Sequence, residues 1–95
     1  MKQPAIYIMA SKRNGTIYAG VTSNLIKRVY EHKNNINCSF TSRYKCKLLV
    51  YYELCDTMEI AILREKQIKA GSRKKKINLI NLTNHEWKDL YESII

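Results

Sequence analysis

Residues 5–21 read Ala-Ile-Tyr-Ile-Met-Ala-Ser-Lys-Arg-Asn-Gly-Thr-Ile-Tyr-Ala-Gly-Val, and they decide the fold. Two short β-branched and aromatic runs, 5–11 and 16–21, flank Lys12-Arg13-Asn14-Gly15, and Asn-Gly between such runs is a strong hairpin turn signal. If Asn14-Gly15 is a two-residue turn, position i pairs with 29−i; if the loop is Lys12 to Gly15, i pairs with 27−i. Both sums are odd, so Tyr7 and Tyr18 share a face in either register. In the longer-loop register Tyr18 opposes Met9 and Tyr7 opposes Gly20. The phenols are then diagonal neighbours about 7–8 Å apart at the backbone, and Gly20 leaves that face open.

Beyond the hairpin, Thr22-Ser23 offers a helix N-cap, and Leu25, Val29 and His32 recur with Ile26, Tyr30 and Lys33 at helical spacing to about residue 35. Residues 35–44 are polar without a sustained period and read as a loop. Residues 47–53 read as a third strand. Asp56 and Glu59 form a capping-box pattern before a helix ending at Ala70, with Gly71 as a left-handed C-terminal residue. Ser72 caps a short basic helix, and Thr83 with Glu86 repeats the capping pattern before the stripe Trp87, Leu90, Tyr91 and Ile94. The order β-β-α-β-α-α-α describes one α+β domain over residues 1–95, a three-stranded sheet, mixed or antiparallel, with a helical layer.

Ninety-five residues leave no room for a second domain, and 45% apolar residues fit a globular core. The longest apolar stretch, Leu48 to Tyr52, is far below the ~20 residues that span a bilayer, and Met1-Lys2-Gln3-Pro4 opens no leader pattern. A cytoplasmic protein without a membrane partner is expected. Three cysteines, Cys38, Cys46 and Cys55, show no CxxC pair and read as packing thiols. The net charge of +9 points to a polyanionic partner, nucleic acid first.

Several polar side chains are not explained by the core. Arg28 and His32 stand i and i+4 on the first helix beside the core positions Leu25 and Val29, so Arg28 either clamps a phosphate or pairs with Glu31 on a solvated flank. Glu65 lies among Ala61, Ile62 and Ile68. A carboxylate there binds a cation or pairs with Arg64 or Lys69. Residues 64–76 carry a net charge of +6, through Arg64, Lys66, Lys69, Arg73, Lys74, Lys75 and Lys76, enough to hold a phosphate backbone.

Taken in order, Ala5-Ile6-Tyr7, Tyr18-Ala19-Gly20, Arg28, His32 and Glu65 resemble the GIY-YIG nuclease superfamily. The chain is most similar in pattern to small stand-alone bacterial members related to the N-terminal catalytic domain of the bacterial repair excinuclease. Ala5 and Ala19 are small departures from that pattern, and Val21 stands where some members carry a lysine. The resemblance implies a three-stranded antiparallel sheet flanked by helices and a metal-dependent endonuclease that hydrolyses DNA phosphodiesters with low sequence specificity. The implied substrate is branched, damaged or single-stranded DNA in repair or recombination, with no small-molecule cofactor. Glu65 would ligate one Mg²⁺ or Mn²⁺, Arg28 would stabilise phosphoryl charge, Tyr7 or Tyr18 would act as base, and His32 would orient it. Gly20, Arg28, Lys66, Lys69, Arg73, Lys74 and Lys75 would contact nucleic acid, and Asn78, Asn81 and Asn84 are open positions for the family's late polar residue. The competing expectation is a basic nucleic-acid-binding module with weak or no catalysis. It predicts salt-sensitive binding without turnover.

Overall fold

The hairpin closes in the longer-loop register. Gly15 N–H donates to the Lys12 carbonyl at 2.9 Å, Ser11 N–H to the Thr16 carbonyl at 3.0 Å, and Asn14 takes the left-handed conformation (φ 58°) that Asn tolerates better than most residues. In this computed structural model, which describes residues 3–95, the loop joins strands β1 (Ala5–Ala10) and β2 (Ile17–Thr22). Tyr7 faces Gly20 and Met9 faces Tyr18 across the pair. The opening Met1-Lys2 of the expected leaderless terminus lies outside the described residues.

Strand β3 (Leu48–Leu54) pairs antiparallel with the other side of β1, giving the order β2-β1-β3. All six residues of β1 are buried because it is central and covered on both faces, which its unbroken apolar run already allows. Helices α1 (Leu25–Lys33), α2 (Ser39–Arg43), α3 (Met58–Ala70), α4 (Arg73–Thr83) and α5 (Tyr91–Ile94) complete the chain. On one face Ile6, Ile8 and Ala10 pack with Ala61 and Ile68 of α3 and Ile80 of α4. On the other, Ala5, Tyr7 and Met9 pack with Leu25 and Val29 of α1, with Tyr91 and Ile94 of α5 against the same cluster. The three cysteines are free, and no helix among the described residues is long and apolar enough to cross a membrane.

Four local expectations need correction. The stretch expected as a loop contains α2, a single short turn of helix whose five residues are too few to show a period. Neighbouring capping residues won over those expected: Asn24, not Thr22 or Ser23, accepts from Lys27 N–H at 3.2 Å, and Thr57, not Asp56, accepts from Ile60 N–H at 3.2 Å. Gly71 has φ −75° instead of a left-handed turn, because the chain passes directly into Ser72, which caps α4 through Lys75 N–H. The Trp87 stripe is not helical at its start. Trp87 has φ 57°, and helix resumes only at Tyr91.

Asn84 explains that departure. A register shift on β3 lies opposite Ile8/Met9, beside Val50, whose carbonyl accepts from Asn84 Nδ2 at 3.0 Å. The same amide donates to the Lys88 carbonyl at 2.8 Å and its oxygen accepts from Lys88 N–H at 3.0 Å, pinning residues 84–88 in a tight loop that swings Trp87 into the core. Asn84→Ala strands the buried Val50 carbonyl and unties the part-buried Lys88 backbone, and a loss of about 1–3 kcal/mol in urea-unfolding free energy is expected, with turnover per folded molecule unchanged.

Candidate active site

Alternation along β1 aims Tyr7 at the α1 face, and the pairing sets Gly20 directly across from it. The space above Gly20 is not open, as strand parity alone suggests. It is filled by the Tyr7 phenol: a methyl group on Gly20 would lie 2.6 Å from Tyr7 Oη and 3.1 Å from Tyr18 Cε2. Glycine therefore lets the phenol cross the neighbouring strand and meet Tyr18, whose ring centre is 6.4 Å away.

Helix α1 supplies the next two groups from adjacent turns. His32 is fully buried, its ring centre 5.4 Å from that of Tyr7 and 5.6 Å from that of Tyr18. Its Nε2 lies 2.8 Å from Tyr7 Oη and its Nδ1 2.7 Å from Thr41 Oγ1, so both ring nitrogens are satisfied. Burial, reinforced by the Arg28 charge, pushes the His32 pKa down to about 4, and the ring is neutral near pH 7. Burial, reinforced by the neighbouring Tyr18, holds the Tyr7 phenol protonated above its ordinary range, while Arg28 pulls weakly the other way. In a neutral imidazole one ring nitrogen donates and the other accepts, so His32 joins the Tyr7 and Thr41 hydroxyls in one continuous chain of hydrogen bonds.

The depressed His32 pKa has a consequence for stability. The unfolded chain binds a proton near 6.5 that the folded chain refuses until about 4, so stability is full above pH 6.5 and falls as pH drops through that window. A loss of about 3 kcal/mol from this group is expected between pH 7 and pH 4. Urea unfolding of the wild type and His32→Gln at both pH values measures it as the difference between the two pH effects.

Arg28 is less buried and is fixed by two acceptors. Nη1 lies 2.9 Å from Glu31 Oε1 and Nη2 donates to the Asn37 carbonyl at 3.0 Å. The pairing with Glu31 raised for Arg28 is present, and the same residue lines a hollow of about 160 Å³ with Tyr18, His32, Asn37, Phe40 and Thr41. At about 30 Å³ per water, that space takes about five waters. Thr41 and Phe40 escape a reading of the sequence because both lie in α2. The only available signal is the i, i+4 pair Phe40 and Tyr44, exposed rings whose centres are 4.7 Å apart, with Phe40 in turn 5.6 Å from Tyr18.

Glu65 comes from the opposite layer, since α3 packs under the sheet. Its carboxylate is not framed by an apolar stripe as expected: Ala61 and Ile68 are buried, but Ile62 is exposed. The carboxylate pairs with Lys69 Nζ at 3.0 Å, and that ammonium lies 6.0 Å from the centre of the Tyr18 ring, reaching round the free edge of β2. Glu65 is thereby linked to the hollow through Lys69 and does not line it. Among the described residues no three His, Cys, Asp or Glu side chains gather, so a divalent ion would find one protein carboxylate here and keep most of its water. That donor set fits Mg²⁺ or Mn²⁺, which retain waters and accept a single carboxylate.

The basic run is divided between the end of α3 and the start of α4. Lys66 and Lys74 are exposed, but Arg73 donates to the Asn14 and Gly15 carbonyls at 3.0 and 2.7 Å and clamps the hairpin turn. Lys75 lines a separate hollow of about 300 Å³ between α3 and α4. None of the three asparagines lines the phenol hollow: Asn84 and Asn81 make structural bonds, Asn81 accepting from the Trp87 indole at 2.8 Å, and Asn78 lines the α3–α4 groove.

Known proteins resemble this chain over most of its length. A family model described as the GIY-YIG catalytic domain matches residues 3–78, a span that includes both phenols, Arg28, His32 and Glu65. The UPF0213 protein SSP2268 of Staphylococcus saprophyticus is 37% identical over 81 residues, which is 85% of this chain and 98% of that protein. The UPF0213 protein FN1575 of Fusobacterium nucleatum is 34% identical over 77 residues, 81% of this chain and 77% of that protein. The solution NMR structure of the UPF0213 protein BH0048 from Bacillus halodurans has the same fold, with a TM-score of 0.53 and 24% identity over 90% of this chain and 92% of that one. The hairpin with its paired tyrosines, the helix bearing Arg28 and the helix bearing Glu65 all fall within the matched span, and the chain belongs to the GIY-YIG catalytic domain family, a family of nucleases.

Proposed function

We propose that the protein is a divalent-metal-dependent endonuclease that hydrolyses DNA phosphodiester bonds with little sequence preference, acting on branched, damaged or single-stranded DNA in repair or recombination. The observation that carries this reading is the hollow in which a phenol, Tyr18, and a fixed guanidinium, Arg28, face the same space. An arginine so placed binds a phosphoryl oxygen and stabilises the charge that grows on it during attack. Tyr18, acting as the phenolate after giving its own proton to solvent, takes the proton of the attacking water and becomes the neutral phenol, while Tyr7 is buried and keeps its own proton. Water oxygen bonds to phosphorus, the phosphorus–oxygen bond to one strand end breaks, and the departing oxygen is protonated from solvent. Tyr7, His32 and Thr41 form a buried rail that fixes the hairpin face against α1 and α2. A Mg²⁺ or Mn²⁺ ion held by Glu65 and waters would supply Lewis acidity and neutralise charge on the leaving side.

Cleavage of plasmid and branched oligonucleotide substrates with Mg²⁺ or Mn²⁺ tests the reading, with Glu65→Ala as the control. Equal residual cutting by both proteins means a contaminant, and salt-sensitive binding without cutting under any metal favours the binding-module alternative, whose support is the +9 charge. The two tyrosines separate in the same assay. Tyr18→Phe is expected to lower kcat by about 10²–10⁴ without loss of stability, the range of a lost general base. Tyr7→Phe leaves His32 Nε2 unpaired and is expected to show mainly in stability, by about 1–3 kcal/mol. Reversal of that order would assign the base to Tyr7.

A further inference from the structure

Lys69 is the cation that links the two halves of the site. Its ammonium sits 3.0 Å from Glu65 and 6.0 Å from the Tyr18 ring centre, between the acid that would hold a metal and the phenol that lines the hollow. The two partners differ in freedom: the Glu65 side chain is 15% exposed, that of Lys69 49%. A lysine on a flexible four-carbon stem can leave such a pair, while the carboxylate stays. Its neighbours do not compete in the same way, because Val21 of the edge strand packs into the α3–α4 layer and Arg64 is bound by Glu53 through both Nε and Nη2.

Resting on the metal-dependent reading above, we propose that Lys69 is the resident counter-cation of Glu65: it occupies the metal's position in the free protein, is displaced when a divalent ion binds, and then turns its ammonium to the phosphate in the hollow beside Tyr18. One residue thus weakens metal binding and assists turnover. The physical basis is that a dication and an ammonium cannot share a single carboxylate at ion-pair distance without strong repulsion, and a site with one protein oxygen has little affinity to spare. A surface helix pair with only a structural role would move neither quantity.

The test is Mn²⁺ titration of the whole protein followed by EPR of the free ion, for wild type, Lys69→Met and Glu65→Gln, with plasmid cleavage at saturating Mn²⁺ and urea unfolding as a folding control. Lys69→Met is expected to bind Mn²⁺ on the order of tenfold more tightly and yet to cleave on the order of tenfold more slowly. Lys69→Arg, which keeps the charge, is expected to leave affinity near wild type. Unchanged or weaker Mn²⁺ binding by Lys69→Met, or undiminished cleavage at saturating metal, overturns the proposal while leaving the nuclease reading intact. Wild-type Mn²⁺ binding by Glu65→Gln overturns both, since the ion would then lie elsewhere.

Discussion

Arg28→Ala is expected to lower kcat by about 10²–10³, the cost of losing one preorganised donor at a developing oxyanion, with folding stability nearly unchanged. The size follows from placement. The guanidinium is held by Glu31 at 2.9 Å and by the Asn37 carbonyl at 3.0 Å, so its orientation is set before substrate arrives and little reorganisation is left for the reaction. Two acceptors on a planar fork also make Arg28→Lys a poor substitute, because a lysine cannot hold both partners and still face the hollow. Its rate is expected to lie nearer the alanine variant than the wild type. Steady-state kinetics with Mn²⁺, paired with urea unfolding, separates lost chemistry from lost structure. A kcat within twofold of wild type for Arg28→Ala would remove the guanidinium from the mechanism.

Gly20→Ala is expected to damage both folding and activity, although it adds only one methyl group. The added carbon would lie 2.6 Å from Tyr7 Oη and 2.7 Å from Tyr7 Cζ, and the phenol has no room to retreat, being 1% exposed and bonded to His32. Either β2 moves away from β1 or Tyr7 abandons its bond to the histidine. Overpacking of this kind costs about 1–3 kcal/mol, and displacement of the rings that shape the hollow is expected to reduce kcat by at least ~10-fold. Tyr7→Ala in the Gly20→Ala background relieves the clash, so the double variant should recover part of the stability beyond additivity while remaining slow. Additive losses would mean that the ring and the glycine are not coupled.

The parts of the fold that strand pairing dictates are legible in the sequence. Asn14-Gly15 and the odd pairing sum place Tyr7 and Tyr18 on one face, and the structure has that register. The i, i+4 spacing of Arg28 and His32 puts both beside the phenols, the histidine as a fully buried link. What sequence could not carry is set by tertiary contact. Thr41 and Phe40 enter the site on a five-residue helix with no periodic signature, and only the fold brings α2 against His32. Trp87 adopts φ 57° because Asn84 ties residues 84–88 to the shifted strand, which overrides a convincing capping pattern. Charge counts are the least transferable. A run with net +6 reads as enough to hold a phosphate backbone, yet Arg73 turns to the hairpin, Lys75 to the α3–α4 groove and Lys69 to Glu65.

A crystal of the protein soaked in Mn²⁺ probes the whole arrangement at once, through the anomalous signal of the ion. One manganese is expected within about 2.3 Å of a Glu65 oxygen, with waters filling its other positions and the Lys69 ammonium moved off the carboxylate. A manganese bound elsewhere, or a Glu65–Lys69 pair still at 3.0 Å in a fully soaked crystal, would contradict it.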